Sequence, residues 1–273
     1  MGWAELGVVR AVPFGSALVT GASSGIGAAI ADQLGRAGVP TVVVARRRDR
    51  LDELADRYDG FEVIVADLTT GAGQRAVIER ISEPGRPLDL VVNCAGFGTS
   101  GTFHELDAAR LGREVELNVA ALTQVSHAAL ASMVPRRRGW LLNVSSVVGF
   151  QAVPRLAVYA ATKAFVTSLT EGLHEEVRGT GVHVTALCPG LTRTEFQQVS
   201  STSRSVARYP AVLWKSAEDV ARKGLDDVIA GKALSVPGIA YKSLVAAAGV
   251  APRGVVRRLA GLARRGARRS AQE

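Results

Sequence analysis

The chain has 273 residues, 47% of them hydrophobic and 5% aromatic, with a formal net charge of +8. That length is enough for one large α/β domain whose core is packed mainly by Ala, Val and Leu, and the composition excludes disorder over most of the chain. The charge is uneven: residues 242–273 hold eight basic residues and one acid, a balance of +7, which leaves +1 for everything before them. The basic character therefore belongs to an appendage, and no specific nucleic-acid partner is expected of the body.

Met1–Arg10 carries Glu5 and has no basic region followed by an apolar run, so it does not read as a signal peptide. Leu6 stands where a myristoylation signal would need Ser or Thr. The uncharged runs 11–31 and 117–135 are broken by Gly and Ser, or by Asn118, Gln124 and His127, and neither reads as a membrane span. Cys94 and Cys188 sit in apolar segments and are expected to be reduced, buried thiols of a cytoplasmic protein.

Ala17–Thr20 reads as a buried strand and 28–38 as a helix, joined by the turn Gly21-Ala-Ser-Ser-Gly25-Ile-Gly27. A strand, a glycine turn and a helix start in succession form a pyrophosphate cradle. Gly21 permits the tight turn, Gly25 lets backbone approach the anion, Gly27 lets helix pack on strand, and the helix N–H groups favour negative charge. Thr41–Ala45 is the next strand and ends in Arg46, Arg47 and Arg48, not in an acid. A carboxylate there would hold the free ribose hydroxyls of NAD, whereas arginine suits a 2′-phosphate, which favours NADP(H). The alternative is that these arginines solvate a helix start while Asp49 or Asp52 turns inward.

Four more apolar strands follow: 61–67, 88–93, 140–145 and 182–187. They alternate with helical stretches, which predicts a doubly wound parallel sheet, covered on both faces, with ligands at the carboxyl ends of its strands. Those ends carry Asp67-Leu68, placed for an adenine amino group, and Asn93-Cys-Ala95-Gly96, small enough for a ribose to lie against backbone. The last carries Cys188-Pro189-Gly190, where proline ends the ladder. Residues 114–133 read as one Ala-rich helix bearing Asn118, which by itself is either a buried polar group or a bend. Residues 191–215 lack periodicity and read as a flap offering Phe196, Tyr209 and Trp214 to a substrate, or as a plain surface loop.

Ser145-Ser146 and Tyr159-x-x-x-Lys163 bring hydroxyl, phenol and ammonium groups to spacings that can converge on one carbonyl oxygen. If 158–177 is a helix, Tyr159 and Lys163 share a face one turn apart, and the cation makes the phenolate easier to form. The four histidines show no paired ligand spacing, so no metal is expected.

Taken in order, the glycine turn, Asp67-Leu68, Asn93-Cys-Ala-Gly96, Asn118, Ser146, Tyr159-x-x-x-Lys163 and Pro189-Gly190 with Thr194 resemble the short-chain dehydrogenase/reductase family over about residues 16–238. The resemblance implies a Rossmann-like fold of about seven strands and hydride transfer between a nicotinamide and a carbonyl or secondary alcohol. It implies Tyr159 as general acid/base and Lys163 as the residue that lowers its pKa and holds the nicotinamide ribose. Ser146 would orient the substrate oxygen, and Asn118 would anchor a water linking Lys163 to solvent. Ser146 is preferred to Ser145 because it lies thirteen residues before Tyr159, the usual family interval. The implied cofactor contacts are Gly21, Ser23, Ser24, Gly25, Ile26, Gly27, Arg46, Arg47, Asp67, Leu68, Asn93, Ala95, Gly96, Tyr159, Lys163, Pro189, Gly190, Thr192 and Thr194. Two departures from the family pattern are Ser24, where some NADP-preferring members carry a base, and Cys94, where the common version has a second Asn.

The expected division is a single domain over 1–241 and a basic amphipathic C-terminal extension over 242–273. Residues 255–269 place Val255, Val256, Leu259, Leu262 and Ala263 on one side and six arginines on the other. Such a helix suits packing against the body, an oligomer contact, an anionic membrane surface through 253–269, which would make the protein peripheral, or nonspecific contact with nucleic acid; the remaining alternative is that the tail is disordered. A homodimer or homotetramer through 114–133 and 158–177 is implied by the resemblance. The expected substrate is an apolar or lipid-like carbonyl or alcohol. The alternative function is a nucleotide-binding scaffold or redox sensor without turnover, against which the full set of Asn118, Ser146, Tyr159 and Lys163 argues.

Overall fold

The computed structural model describes residues 12–202, 206 and 209–250, with no side chains described for 248–250. Seven parallel strands form one sheet: β1 (Ala17–Thr20), β2 (Thr41–Ala45), β3 (Glu62–Val65), β4 (Leu90–Asn93), β5 (Gly139–Val144), β6 (Val182–Leu187) and β7 (Leu234–Ser235). Their order is β3-β2-β1-β4-β5-β6-β7. The direction of winding reverses between β1 and β4, and the crevice beyond their carboxyl ends is where such sheets bind ligands. β7 has only two residues, too few for a periodic signal, and the sequence gives no strand there.

Every residue of β1, β2, β4 and β5 is buried, as expected of a sheet covered on both sides. Alternate residues feed two cores. Val19, Val43, Val92 and Leu142 pack with helices α1 (Gly25–Arg36) and α8 (Ala217–Ile229) on one face. Leu18, Val42, Val91 and Leu141 pack on the other with helices α3 (Gly71–Ile81) and α5 (Leu122–Met133). Each such fully buried Leu or Val contributes on the order of 1.5–3 kcal/mol, which is what fixes strand register against a one-residue slip.

The structure moves several predicted helix boundaries, two of them by more than two residues. α1 begins at Gly25, three residues before the expected start, because Ser24 is extended at φ −166° and the chain turns helical immediately after it. The predicted helix over 114–133 is three pieces: α4 (Ala108–Val115), a π-helical segment Glu116–Ala121, and α5. Asp107 caps α4 by accepting from the Ala109 amide. Asn118 lies in the π segment, where the wider turn re-aims a side chain within an otherwise continuous helix.

α2 (Arg48–Ala55) follows β2, α6 (Ala157–Glu176) packs on the sheet beside β5 and β6, and α7 (Phe196–Val199) is a single turn in the segment after β6. The last described helix, α9 (Ile239–Val250), anchors through buried Tyr241, whose hydroxyl accepts from the Leu191 amide and donates to the Leu213 carbonyl. The basic stretch 253–269 lies outside the described residues. Among the described residues no helix is long and apolar enough to cross a membrane.

Candidate active site

The expected proton-handling residues meet at the carboxyl edge of the sheet. Asn118 is 0% exposed, Lys163 5%, and Tyr159 and Ser146 9% each, so the group is nearly dry. Asn118 and Lys163 converge on Gly96: a Cβ there would lie 2.9 Å from Asn118 Oδ1 and 3.5 Å from Lys163 Nζ. Lys163 Nζ donates to the Val144 carbonyl at 2.7 Å and stands 5.7 Å from the centre of the Tyr159 ring. Asn118 is pinned to the Phe97 backbone, donating to its carbonyl at 2.8 Å and accepting from its amide at 3.2 Å, and it also donates to Thr162.

The two adjacent serines have different surroundings. Ser145 donates to the Lys163 carbonyl at 2.8 Å and shares a hydrogen bond with Thr167, which ties β5 to α6. Ser146 bonds the Pro189 carbonyl and the Val148 amide, both at 3.3 Å, and its hydroxyl eases ionisation of Tyr159. Burial is the larger influence on that phenol and pushes its pKa up, helped by Glu114 and Cys94. Lys163 moves the opposite way, brought down to about 8 by burial, with Cys94, Cys188 and Glu114 resisting. Both shifts favour the neutral forms, as a low-dielectric pocket does.

A dinucleotide fits the remaining residues. Gly21 has φ +70°, and a Cβ on it would meet Ala95 at 2.9 Å, so the turn after β1 and the backbone after β4 lie in contact. Thr20 Oγ1 locks them by accepting from the Cys94 and Ala95 amides. Ser24 does not cap α1 with its side chain and the first turn holds no acid, which leaves a helix N-terminus suited to an anion. The Thr194 methyl lies 3.1 Å from where a Gly25 Cβ would stand, so the flap covers the turn. Thr192 is buried, bonded to the Gly190 carbonyl and bridged to Lys215.

At the adenosine end burial raises the Asp67 carboxyl, but the Thr69 amide and hydroxyl and, after them, the charge of exposed Arg46 bring it below the usual carboxylate range. Arg47 is engaged with Ser23 and Glu195. Two predicted contacts direct their side chains elsewhere. Asn93 donates to Ser126 and Asn143 in the interior, and Leu68 packs in the core, so only backbone is left to either of them for a ligand. Residues that the motifs do not announce also line the site. Glu114 is fully buried behind it, and Glu195 lies at its mouth. The only sequence signal for Glu114 was its place one turn before Asn118.

Phe196 does reach the site, its ring centre 5.1 Å from that of Tyr159 at 44°. Thr99, Thr102, Phe103, Leu106, Arg155, Ala157 and Val158 line a cleft of about 220 Å³ at the start of α6, next to Tyr159 in the chain through Val158 but without Tyr159 or Phe196 in its walls.

Residues 16–205 match the short chain dehydrogenase family. An uncharacterised oxidoreductase of Staphylococcus saprophyticus is 35% identical over 183 residues, 65% of this chain and 78% of that one. A short-chain dehydrogenase from Sphingobium yanoikuyae in complex with NADPH superposes with a TM-score of 0.77 at 33% identity, covering 85% of this chain and 92% of that one. A bulky-bulky ketone specific alcohol dehydrogenase from Comamonas testosteroni gives 0.75 at 31%, covering 86% and 92%.

Proposed function

The chain belongs to the short-chain dehydrogenase family of NAD(P)-dependent oxidoreductases acting on CH–OH donors, and from that premise we propose that it interconverts a bulky apolar ketone and its secondary alcohol with NADP(H). The observation that carries the reading is the convergence of Asn118 and Lys163 on Gly96 beside Tyr159 and Ser146. When bound, the nicotinamide supplies or takes up the hydride. Tyr159 passes a proton to the substrate oxygen in reduction and removes it in oxidation, and Ser146 holds that oxygen by a hydrogen bond. Lys163 places a positive charge under the phenol, and Asn118 fixes the loop Gly96-Phe97 against which the pocket closes.

Gly21, Ser23, Ser24, Gly25, Ile26 and Gly27 would hold the pyrophosphate, Asp67 the adenine, and Thr192 and Thr194 the carboxamide. Arg46 would meet a 2′-phosphate, a choice favoured by the absence of an acid at the end of β2 and by the NADPH carried by the Sphingobium relative. The apolar substrate is favoured by Phe196 on Tyr159, by the cleft walls Phe103, Leu106, Ala157 and Val158, and by the named specificity of the Comamonas relative. A homo-oligomer through α6 is supported by the outward groove of Phe165, Leu169 and Leu173, with Phe165 exposed. The proposed division is a domain over 1–241 and an extension over 242–273, with α9 crossing the boundary between them.

The test is turnover of a ketone panel with NADPH and NADH by the full chain and by Tyr159→Phe. Loss of at least a hundredfold in the variant, with NADPH binding kept, is expected. Undiminished turnover by Tyr159→Phe, or NADPH binding by a wild type that turns over nothing, would overturn the reading.

A further inference from the structure

Glu114 is the only Asp, Glu, Lys, Arg or His among the described residues that is 0% exposed. Neither carboxyl oxygen has a donor in full hydrogen-bonding geometry among those residues; the Thr99 hydroxyl and amide approach closely enough to ease its ionisation but not to satisfy it, an arrangement that is unfavourable unless a charge compensates for it. The motifs assign it no role. It stands four residues before Asn118, on a helix that packs against α6, and Asn118 in turn donates to Thr162, the neighbour of Lys163.

The groups facing this space come from four elements. α4 itself supplies Arg110, which donates to Thr99 at 3.2 Å and to the Val199 carbonyl at 2.8 Å. Thr99 comes from the chain after β4 and Lys163 from α6, and around Lys163 and Tyr159 in turn stand Cys94, from the chain after β4, and Cys188, from the end of β6. Burial pushes both thiols up to about 12, so each keeps its proton at neutral pH. Glu114 is then the acid that can face Lys163 as a charge.

We propose that Glu114 is a positioning residue for the reaction: a buried counter-charge, one helical turn from Asn118, that keeps the Lys163 ammonium charged beside Tyr159 in a dry pocket. The proposal rests on the oxidoreductase reading above. Its electrostatics run in a definite direction. Burial lowers Lys163 and Glu114 raises it; burial raises Tyr159 and Glu114 raises it further. Glu114 is itself raised by burial, with Thr99, Arg110 and Lys163 opposing, so the three groups titrate as a coupled set. Replacing the carboxylate by a neutral group makes both Lys163 and Tyr159 lose their protons at lower pH. Carbonyl reduction needs both protons in place, so its alkaline limit must move toward acid.

The experiment is the pH profile of ketone reduction by the full chain and by Glu114→Gln, which keeps the shape and removes the charge. The alkaline limb is expected to move by about one pH unit toward acid, with kcat changed more than KM, and Glu114→Asp is expected to restore much of the wild-type profile. The pH dependence of NADPH affinity is expected to shift in the same sense. That measurement needs no turnover, so it judges Glu114 even where the reaction assignment fails. A folded Glu114→Gln with both profiles unmoved overturns the proposal. If Glu114→Gln and Glu114→Met both fail to fold while Glu114→Asp folds, the carboxylate holds the fold and the proposal is likewise overturned.

Discussion

Arg47 joins the glycine turn to the flap: its Nη1 lies 2.9 Å from Glu195 Oε2, and its Nε and Nη2 lie 3.2 and 3.1 Å from Ser23 Oγ. One of the two arginines expected to meet a 2′-phosphate is thus already engaged by a carboxylate, whose own pKa is lowered chiefly by that hydrogen bond. Glu195→Gln removes a negative charge from this mouth and frees Arg47 for a phosphate. We expect NADPH to bind severalfold more tightly and NADH almost unchanged, read by fluorescence titration. Both side chains are 43% exposed, so the melting temperature is expected to stay put. Equal changes for the two cofactors would show that Arg47 and Glu195 do not discriminate between them.

Arg46 gives the complementary prediction. It is exposed at the end of β2, and its charge bears on Asp67 across the end of β3. Arg46→Ala is expected to weaken NADPH by roughly tenfold or more, the scale of one charge-assisted phosphate contact, and to leave NADH binding within a factor of about two. A similar loss for both cofactors would place Arg46 away from the phosphate.

Gly96 gives a prediction about geometry. An added methyl would sit 2.9 Å from Asn118 Oδ1, below any ordinary contact, and 3.5 Å from Lys163 Nζ. The atoms in the way belong to side chains, so the backbone has no need to move. Gly96→Ala is expected to fold with a melting temperature near wild type and to lose tenfold or more in kcat, because Asn118 must give up its hold on Phe97. Full activity in this variant would mean that the approach of Asn118 and Lys163 to Gly96 does not matter to the chemistry.

How far the sequence could be read depended on whether a feature is local. β1, β2 and β6 were legible to the residue because short runs rich in Val and other apolar residues, bounded by turns, fix a strand, and the Tyr159-Lys163 pair was legible because two residues four apart on one helix share a face. The π segment was not, since the partners that hold Asn118 there, Phe97 and Thr162, lie twenty-one and forty-four residues away. Nor was the inward turn of Asn93, which depends on Asn143 and Ser126 from other elements. Arg46 and Arg47 look alike in sequence. Only the fold brings Glu195 to one of them, across 148 residues.

Asp227 is the clearest handle on stability outside the site. It is 3% exposed in α8 and accepts from Lys223 at 2.6 Å, Lys232 at 2.7 Å and Ser235 at 2.8 Å, fastening α8 to β7 at the edge of the sheet. Burial alone would raise its pKa, but Lys223, Lys232 and Ser235 outweigh it and hold the carboxyl below the usual range. A folded pKa below the unfolded value, which is about 3.9, means that the contribution is fully present above the unfolded pKa and is lost as pH falls through the folded one. Asp227→Ala strands the Ser235 hydroxyl, while both lysines can turn toward water, so a cost of about 1–3 kcal/mol is expected at neutral pH. The gap between wild type and variant in denaturant melts should narrow as the pH is lowered below the unfolded carboxylate pKa. A gap that is constant with pH would mean that Asp227 acts through packing and not through its charge.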